Sequence, residues 1–221
     1  MAPMAQKHFL FFRLLAQRPG LNVFNPWTDH DATTDVTANA PSHRRACLRQ
    51  HLACNARWIL IGEAPGYQGA KVSGIPFTSE RLMLEGHIPG INLKDRRLST
   101  RERPWSEPSA TIVWNVLHDL GIANQTILWN AYPWHPHKDG TLHSNRTPTA
   151  TERTAGIPVL IALLKAFPKA QVLAVGRQAQ TALGELGIRA SSLRHPSMGG
   201  ATLFRRGLGR ALRLRGPNPD P

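Results

Sequence analysis

Apolar and polar positions along this chain fall into short, alternating blocks. Trp58 to Gly62, Ile127 to Asn130 and Val172 to Val175 are brief apolar runs bounded by turn residues and predict three strands, and Ile188 to Leu193 reads as a fourth. Between them lie stretches with helical spacing. Ser42 is a fair N-cap for a helix to about Cys54, and Ser109 to Leu120 reads as a helix closed by Gly121. Thr151 to Phe167 is helical despite Gly156 and Pro158, and Arg177 to Leu186 is a helix closed by Gly187. A basic helix starts near Thr202. Residues 1–40 read as a peripheral N-terminal segment, a short amphipathic stretch followed by an Asn-, Pro-, Asp- and Thr-bearing loop. Glu63 to Pro108 is rich in Gly and Pro and has few periodic signals, and a His-rich polar loop runs to about Thr149. The Pro-rich end, 215–221, is expected to be disordered, which leaves one domain over 41–214. Strands alternating with helices predict an α/β fold with a parallel sheet covered on both faces.

Composition narrows the class. A chain of 221 residues with 41% hydrophobic and 19% charged residues holds one substantial core. The net charge is +13, which points to a polyanionic partner, since Lys and Arg that neutralise phosphates release condensed counterions. The basic residues cluster. Arg189, Arg194, Arg205, Arg206, Arg210, Arg213 and Arg215 fall in a segment with no acid, and a second run holds Lys94, Arg96, Arg97, Arg101 and Arg103. Cys47 and Cys54 lie seven positions apart in the expected helix, about 10 Å along its axis, too far for a disulfide. The apolar stretch from Phe9 to Leu15 is too short for a membrane span and lacks a cleavage site, so a cytoplasmic protein that does not associate with membranes is expected.

In parallel α/β sheets ligands bind beyond the carboxyl ends of the strands. Three unusual loops start there: Gly62-Glu63-Ala64-Pro65-Gly66-Tyr67, Asn130-Ala131-Tyr132-Pro133 and Arg194-His195-Pro196-Ser197. Each alone is ordinary turn chemistry, and the first is not a Gly-x-Gly-x-x-Gly dinucleotide fingerprint. Their combination is specific. Gly62-Glu63-Ala64-Pro65-Gly66, then Gly74-Ile75-Pro76-Phe77, then Asn130, then His195-Pro196-Ser197 closely resembles the uracil-DNA glycosylase superfamily, over about Arg57 to Phe204.

The resemblance implies a three-layer α/β/α sandwich around a four-stranded parallel sheet. It also implies DNA across the strand ends, uracil-containing DNA as substrate and abasic DNA as product. The residues suit that chemistry. A base inside a duplex must be extruded before it can be cut. Phe77 can stack on it, and the Asn130 amide offers one donor and one acceptor, matching uracil N3–H and O4. Glu63 suits a cation-like sugar and its attacking water, and an imidazole N–H from His195 suits the uracilate anion. Gly62 and Ala64 are expected beside the base, and Tyr67, offset by one position from the family pattern, is a candidate gate against the thymine methyl. Pro65, Gly66, Pro196 and Ser197 are expected on the DNA, with Ser197 gripping a phosphate. Met198, Leu203 and Phe204 are three candidates for an apolar wedge, and Arg205 and Arg206 for backbone contacts. Some branches hold an iron–sulfur cluster on four cysteines. Two cysteines cannot do so, and no cofactor is expected.

Two other readings fit the residues. The same fold and basic face would serve a DNA- or abasic-site-binding protein with little turnover. His135, His137 and His143 in one loop would suit a metal-dependent hydrolase, but no matching carboxylate or cysteine accompanies them. A monomer is the expected state.

Overall fold

A computed structural model describes residues 2–17, 20–93 and 96–213, with side chains from residue 9 onward. Chain order is α1 (Ala2–Leu15), β1 (Val23–Phe24), α2 (Ala40–Leu52), β2 (Trp58–Gly62), α3 (Ala70–Ser73), α4 (Glu80–Leu84) and α5 (Pro108–Asp119). Then come a 3-10 turn (Ala123–Gln125), β3 (Thr126–Asn130), β4 (His135–Pro136), α6 (Ala150–Ala166), β5 (Gln171–Val175), α7 (Arg177–Glu185), β6 (Ser191–Leu193) and α8 (Ala201–Arg213). The expected disordered tail, 215–221, lies outside the described residues.

Four strands form one parallel sheet in the order β3-β2-β5-β6, as expected. The alternation of side chains splits the core in two. Leu60, Leu128, Leu173 and Val175 face α5 and α8, where Val113, Trp114, Phe204 and Leu208 are buried. Ile59, Ile61, Ile127, Trp129 and Ala174 face the other way, onto Leu160 and Leu163 of α6 and Ala179 and Leu183 of α7. This is the three-layer sandwich. The central strands β2, β3 and β5 are apolar on both faces, which is why the pattern showed runs rather than alternation, whereas β6 exposes Ser191 and Ser192.

The edge strand β3 needs cover, because an open edge leaves ladder groups unpaired. Helix α2 supplies it. Its His51 Nε2 accepts the Leu128 N–H at 2.9 Å, and burial lowers the His51 pKa to about 4, so the ring is the neutral acceptor this bond requires.

Two departures from expectation concern the ends of the pattern. The N-terminal segment is not merely peripheral. Phe11 meets Trp129 edge-on at 5.2 Å, Trp27 stacks on the same indole at 5.6 Å, and Phe11, Leu15 and Trp27 are buried. Asn25 ties the segment down by donating to Leu15 O at 2.8 Å. The fourth strand is shorter than Ile188 to Leu193, because Ser191–Leu193 alone pairs with β5.

Chain β2 leads to β3 on one side, and the chain then crosses to β5 on the other. The topological switch lies beside β2. There the loops after β2, β3, β5 and β6 open, the place where α/β sheets bind ligands.

Candidate functional site

A cavity of about 370 Å³ lies over these strand ends. Glu63, Phe77, Asn130 and His195 all line it, so four residues spread over 130 positions converge there. Gly62 and Asn130 are direct partners in the β2–β3 register, which puts the end of each strand at the cavity floor. The floor is tight. A Cβ on Gly62 would lie 2.6 Å from Phe77 Cζ and 2.7 Å from Asn130 Oδ1, so only glycine fits. Asn130 is buried, and its side-chain amide has no hydrogen bond to the protein among the described residues. It is held by its backbone and left open for a ligand.

Phe77 carries a positive φ of 50°, costly for a bulky side chain. The turn around it is over-determined. Ser73 Oγ donates within the turn, reaching Thr78 O at 2.7 Å and Ile75 O at 2.9 Å, and Trp114 Nε1 donates to Thr78 Oγ1 at 3.0 Å. Buried Lys71 pairs with Asp31 at 2.5 Å beneath the same loop. These contacts hold Phe77 at the cavity against its own backbone preference.

His195 has a defined tautomer. The Ser197 N–H lies 3.2 Å from its Nδ1 and the Ser197 hydroxyl 2.7 Å from it. A backbone N–H can only donate, so Nδ1 is the acceptor and the ring proton sits on Nε2. Burial, with the Arg194 charge, holds the pKa below its ordinary value and keeps the ring neutral. The imidazole therefore offers one N–H and no positive charge. Gly200 closes the turn, since a Cβ there would lie 2.0 Å from His195 O.

Glu63 is half-buried, and its Oε1 has no hydrogen-bond partner among the described residues. Burial raises its pKa, while a hydrogen bond from Thr147 and the charge of Arg153 pull it back. The carboxylate thus keeps one buried oxygen without a protein partner, at the edge of the cavity.

The expected site residues do not all converge. Ala64, Pro65 and Gly66 line the cavity, and Pro65, Gly66, Pro196, Ser197 and Met198 line the wider cleft at its mouth. Tyr67 does not line the cavity. Its ring meets Trp105 edge-on at 5.5 Å and its N–H donates to Asn145 Oδ1, so it packs outward rather than gating the base. Phe204 is not on the DNA side either. It is fully buried under α8, one turn before Leu208, in the core. Of the wedge candidates, Leu203 is on the exposed face of α8, and Met198 stands at the cleft, 94% exposed with a positive φ of 51°. Arg206 is exposed, and Arg205 pairs with Asp119 at 2.6 Å.

The loop histidines have other tasks. His135 is buried with its ring nitrogens 2.8 and 3.0 Å from Pro65 O and Leu142 O, and His143 Nε2 lies 3.0 Å from Asp31. His135 thereby braces the first loop of the cavity. Among the described residues no helix is long and apolar enough to cross a membrane.

Sequence reasoning missed several residues of the site. Thr147 and Arg153, which set the ionisation of Glu63, lie in the polar loop and at the start of α6. Arg177 and Gln178, at the uncapped amino end of α7, line the cavity, as does Glu107. No local pattern marks them, since each comes near the site only through the fold.

The model of the Uracil DNA glycosylase superfamily matches residues 49–205, a stretch that contains every one of these loops. The chain belongs to the uracil DNA glycosylase superfamily. Its fold is similar to that of a solved structure, wild-type Pedobacter heparinus SMUG2, with a TM-score of 0.64 and 17% identity over 97% of this chain and 98% of that one. No curated protein matches the chain. Superfamily membership supports a glycosylase-type hydrolase that acts on DNA in repair. At 17% identity the SMUG2 likeness speaks for the fold alone.

Proposed function

We propose that this glycosylase excises uracil from DNA, leaving an abasic site. The observation that carries the reading is the meeting of an open, buried Asn130 amide with Phe77, a half-buried Glu63 and a neutral His195 donor in one cavity. An extruded uracil stacks on Phe77 while the Asn130 amide accepts from N3–H and donates to O4. Cytosine reverses that pattern, presenting an amine and a bare N3, and leaves the amide mispaired.

The chemistry follows from the two polar groups. The C1′–N1 bond breaks, and its electron pair leaves on the base as uracilate. The Nε2–H of His195 donates to the developing charge on O2; uracilate is stable enough that a neutral donor suffices. Glu63 faces the cation-like sugar, orients a water and takes its proton as the oxygen bonds to C1′. At the mouth, the Ser197 turn suits a phosphate, Met198 suits the gap left in the stack, and Arg206 and Arg210 on α8 suit the backbone.

The test is single-turnover excision on duplexes carrying uracil, cytosine, hypoxanthine or an abasic analogue. Uracil is expected to be released and Glu63→Gln to abolish release. Tight binding to the abasic duplex with no base released from any substrate would refute the reading and identify a binding protein instead.

A further inference from the structure

Glu107 has no part in the chemistry just described, yet it lines both the cavity and the mouth cleft. It precedes α5 at the N-cap position but makes no side-chain cap hydrogen bond. Among the described residues its carboxylate has no hydrogen-bond partner, and the residue is partly buried. A carboxyl group taken out of bulk water without a partner is costly, so a position like this calls for a compensating use. The room for it comes from elsewhere in the chain. Gly69 is buried, and a Cβ there would lie 1.9 Å from Glu107 Oε2. The missing side chain of Gly69 is the space that the Glu107 carboxyl fills.

We propose that Glu107 is a specificity-determining residue, a wall that admits a bare C5–H on the extruded base and rejects a substituent there. The inference rests on the uracil reading, and it fixes the edge by elimination. N1 carries the sugar, Nε2 of His195 serves O2, Asn130 serves N3 and O4, and Phe77 takes a ring face. The edge left over is C5–C6. Of the rest of the lining, Val175, Gly176, Arg177 and Gln178 follow β5 on the His195 side, where Gly176 abuts His195, Ser197 belongs to the His195 turn, and Ala64 and Pro65 directly follow Glu63; the wall left over is Gly66, Ala70 and Glu107. Tyr67, the residue expected to guard that edge, packs on Trp105 outside the cavity. A methyl at C5 would both crowd the carboxyl and strip its remaining water, whereas C5–H leaves room for a weak C–H···O contact. Burial also moves the Glu107 carboxyl up to about 7, so near neutrality part of the population is uncharged and tolerates an apolar ring edge better than a fixed carboxylate would.

The experiment compares uracil with thymine and 5-hydroxymethyluracil, each opposite guanine, in single-turnover excision by the parent, Glu107→Ala and Glu107→Gln. Glu107→Ala is expected to raise the ratio of substituted to plain base at least about tenfold, roughly what one extra methyl-sized space is worth in a pocket. Glu107→Gln keeps the size and is expected to stay within about threefold of the parent ratio. An unchanged ratio in Glu107→Ala, with uracil still excised, overturns the proposal. Glu107→Asp, a milder truncation, gives the same answer if the alanine variant does not fold: an intermediate rise supports the wall and no rise refutes it. Should the parent release no base at all, the uracil reading fails separately. The wall is then decided by the ratio of free thymine to free uracil dissociation constants measured by titration, which rises in affinity for thymine in Glu107→Ala or refutes the assignment by staying level.

Discussion

Gly62→Ala is the smallest change that tests whether the floor of the cavity is as tight as it looks. The added methyl carbon would sit 2.6 Å from Phe77 Cζ, 2.8 Å from Phe77 Cε2 and 2.7 Å from Asn130 Oδ1. The closest of these is about 0.8 Å short of ordinary carbon contact, so something must give by that much. Gly62 is the last residue of a central strand paired on both sides of the floor, and Ala131 N–H donates to its carbonyl at 2.8 Å, so the backbone is not free to retreat. Phe77 and Asn130 must move instead, and these are the two residues assigned to the base. Overpacking of this kind costs about 1–3 kcal/mol of stability. A displacement approaching an ångström at a reacting site costs about 10²-fold in rate. Thermal unfolding and single-turnover uracil excision read the two effects separately. The expected result is a folded protein with a modestly lowered Tm and a loss of excision out of proportion to it. A variant that excises uracil within threefold of the parent would refute the assignment of Phe77 and Asn130 to the base, whatever happens to its stability.

Three further outcomes are expected. Burial raises the Glu63 pKa and lowers that of His195, so the single-turnover rate should fall only on the acid side, at a pH above the ordinary carboxylate range, and stay level from neutral to mildly alkaline pH. Arg153→Ala, which removes the charge opposing that rise, should move the acid limb to higher pH; Glu107→Gln should leave it, and a fall through neutral pH that His195→Ala abolishes would overturn the neutral histidine. His51 is buried neutral, with a pKa lowered from 6.5 to about 4, so the folded state binds fewer protons than the unfolded chain in that window. Its contribution to stability is complete above pH 6.5 and is lost as pH falls toward 4, and urea melts of a His51→Gln variant should show a shallower decline between those values. Arg206→Glu with Arg210→Glu should weaken binding to every DNA sequence alike and flatten the dependence on salt, and equal affinity at low salt would take α8 off the DNA.

Much of the fold was legible because its central strands are buried on both faces. Trp58 to Gly62 is an unbroken apolar run, and its observed bounds are those the pattern predicts. Ile188 to Leu193 overruns the observed strand because only Ser191–Leu193 finds a ladder partner on β5, and spacing alone does not show where pairing stops. The first forty residues were misread for a different reason. Phe11 and Trp27 find their partner in Trp129, more than a hundred positions away, and nothing local announces that contact. Glu63, Asn130 and His195 were visible because each ends a strand or opens its loop, where the fold itself supplies convergence. Phe204 was one of three wedge candidates, and its spacing decides against that role: with Leu208 one turn on, it belongs to the apolar stripe of an amphipathic helix whose arginines face out. Glu107 went unmarked for lack of a distance that no sequence spacing contains, the one between Gly69 and a carboxylate thirty-eight positions downstream.

The under-bonded carboxylates of the described residues share one site, and that argues for a use there. Phe77 and Met198 carry positive φ values that side chains of their size avoid, the first beneath the cavity and the second at its mouth. Asn130 and Glu107 line the cavity with no protein partner among the described residues, and Glu63 Oε1 lacks one too. The fully buried carboxylates elsewhere are paired, Asp31 with Lys71, Asp35 with Arg44, and Glu80 with Arg97 and three backbone N–H groups. Glu80 shows the contrast well. It is fully buried, yet its bonds hold its pKa below the ordinary value, whereas Glu63 and Glu107, less enclosed but less bonded, are pushed above it. The chain can satisfy a buried carboxylate completely when structure alone is at stake. That it leaves two of them under-bonded in a single cavity is the expected signature of groups whose partners arrive with the ligand.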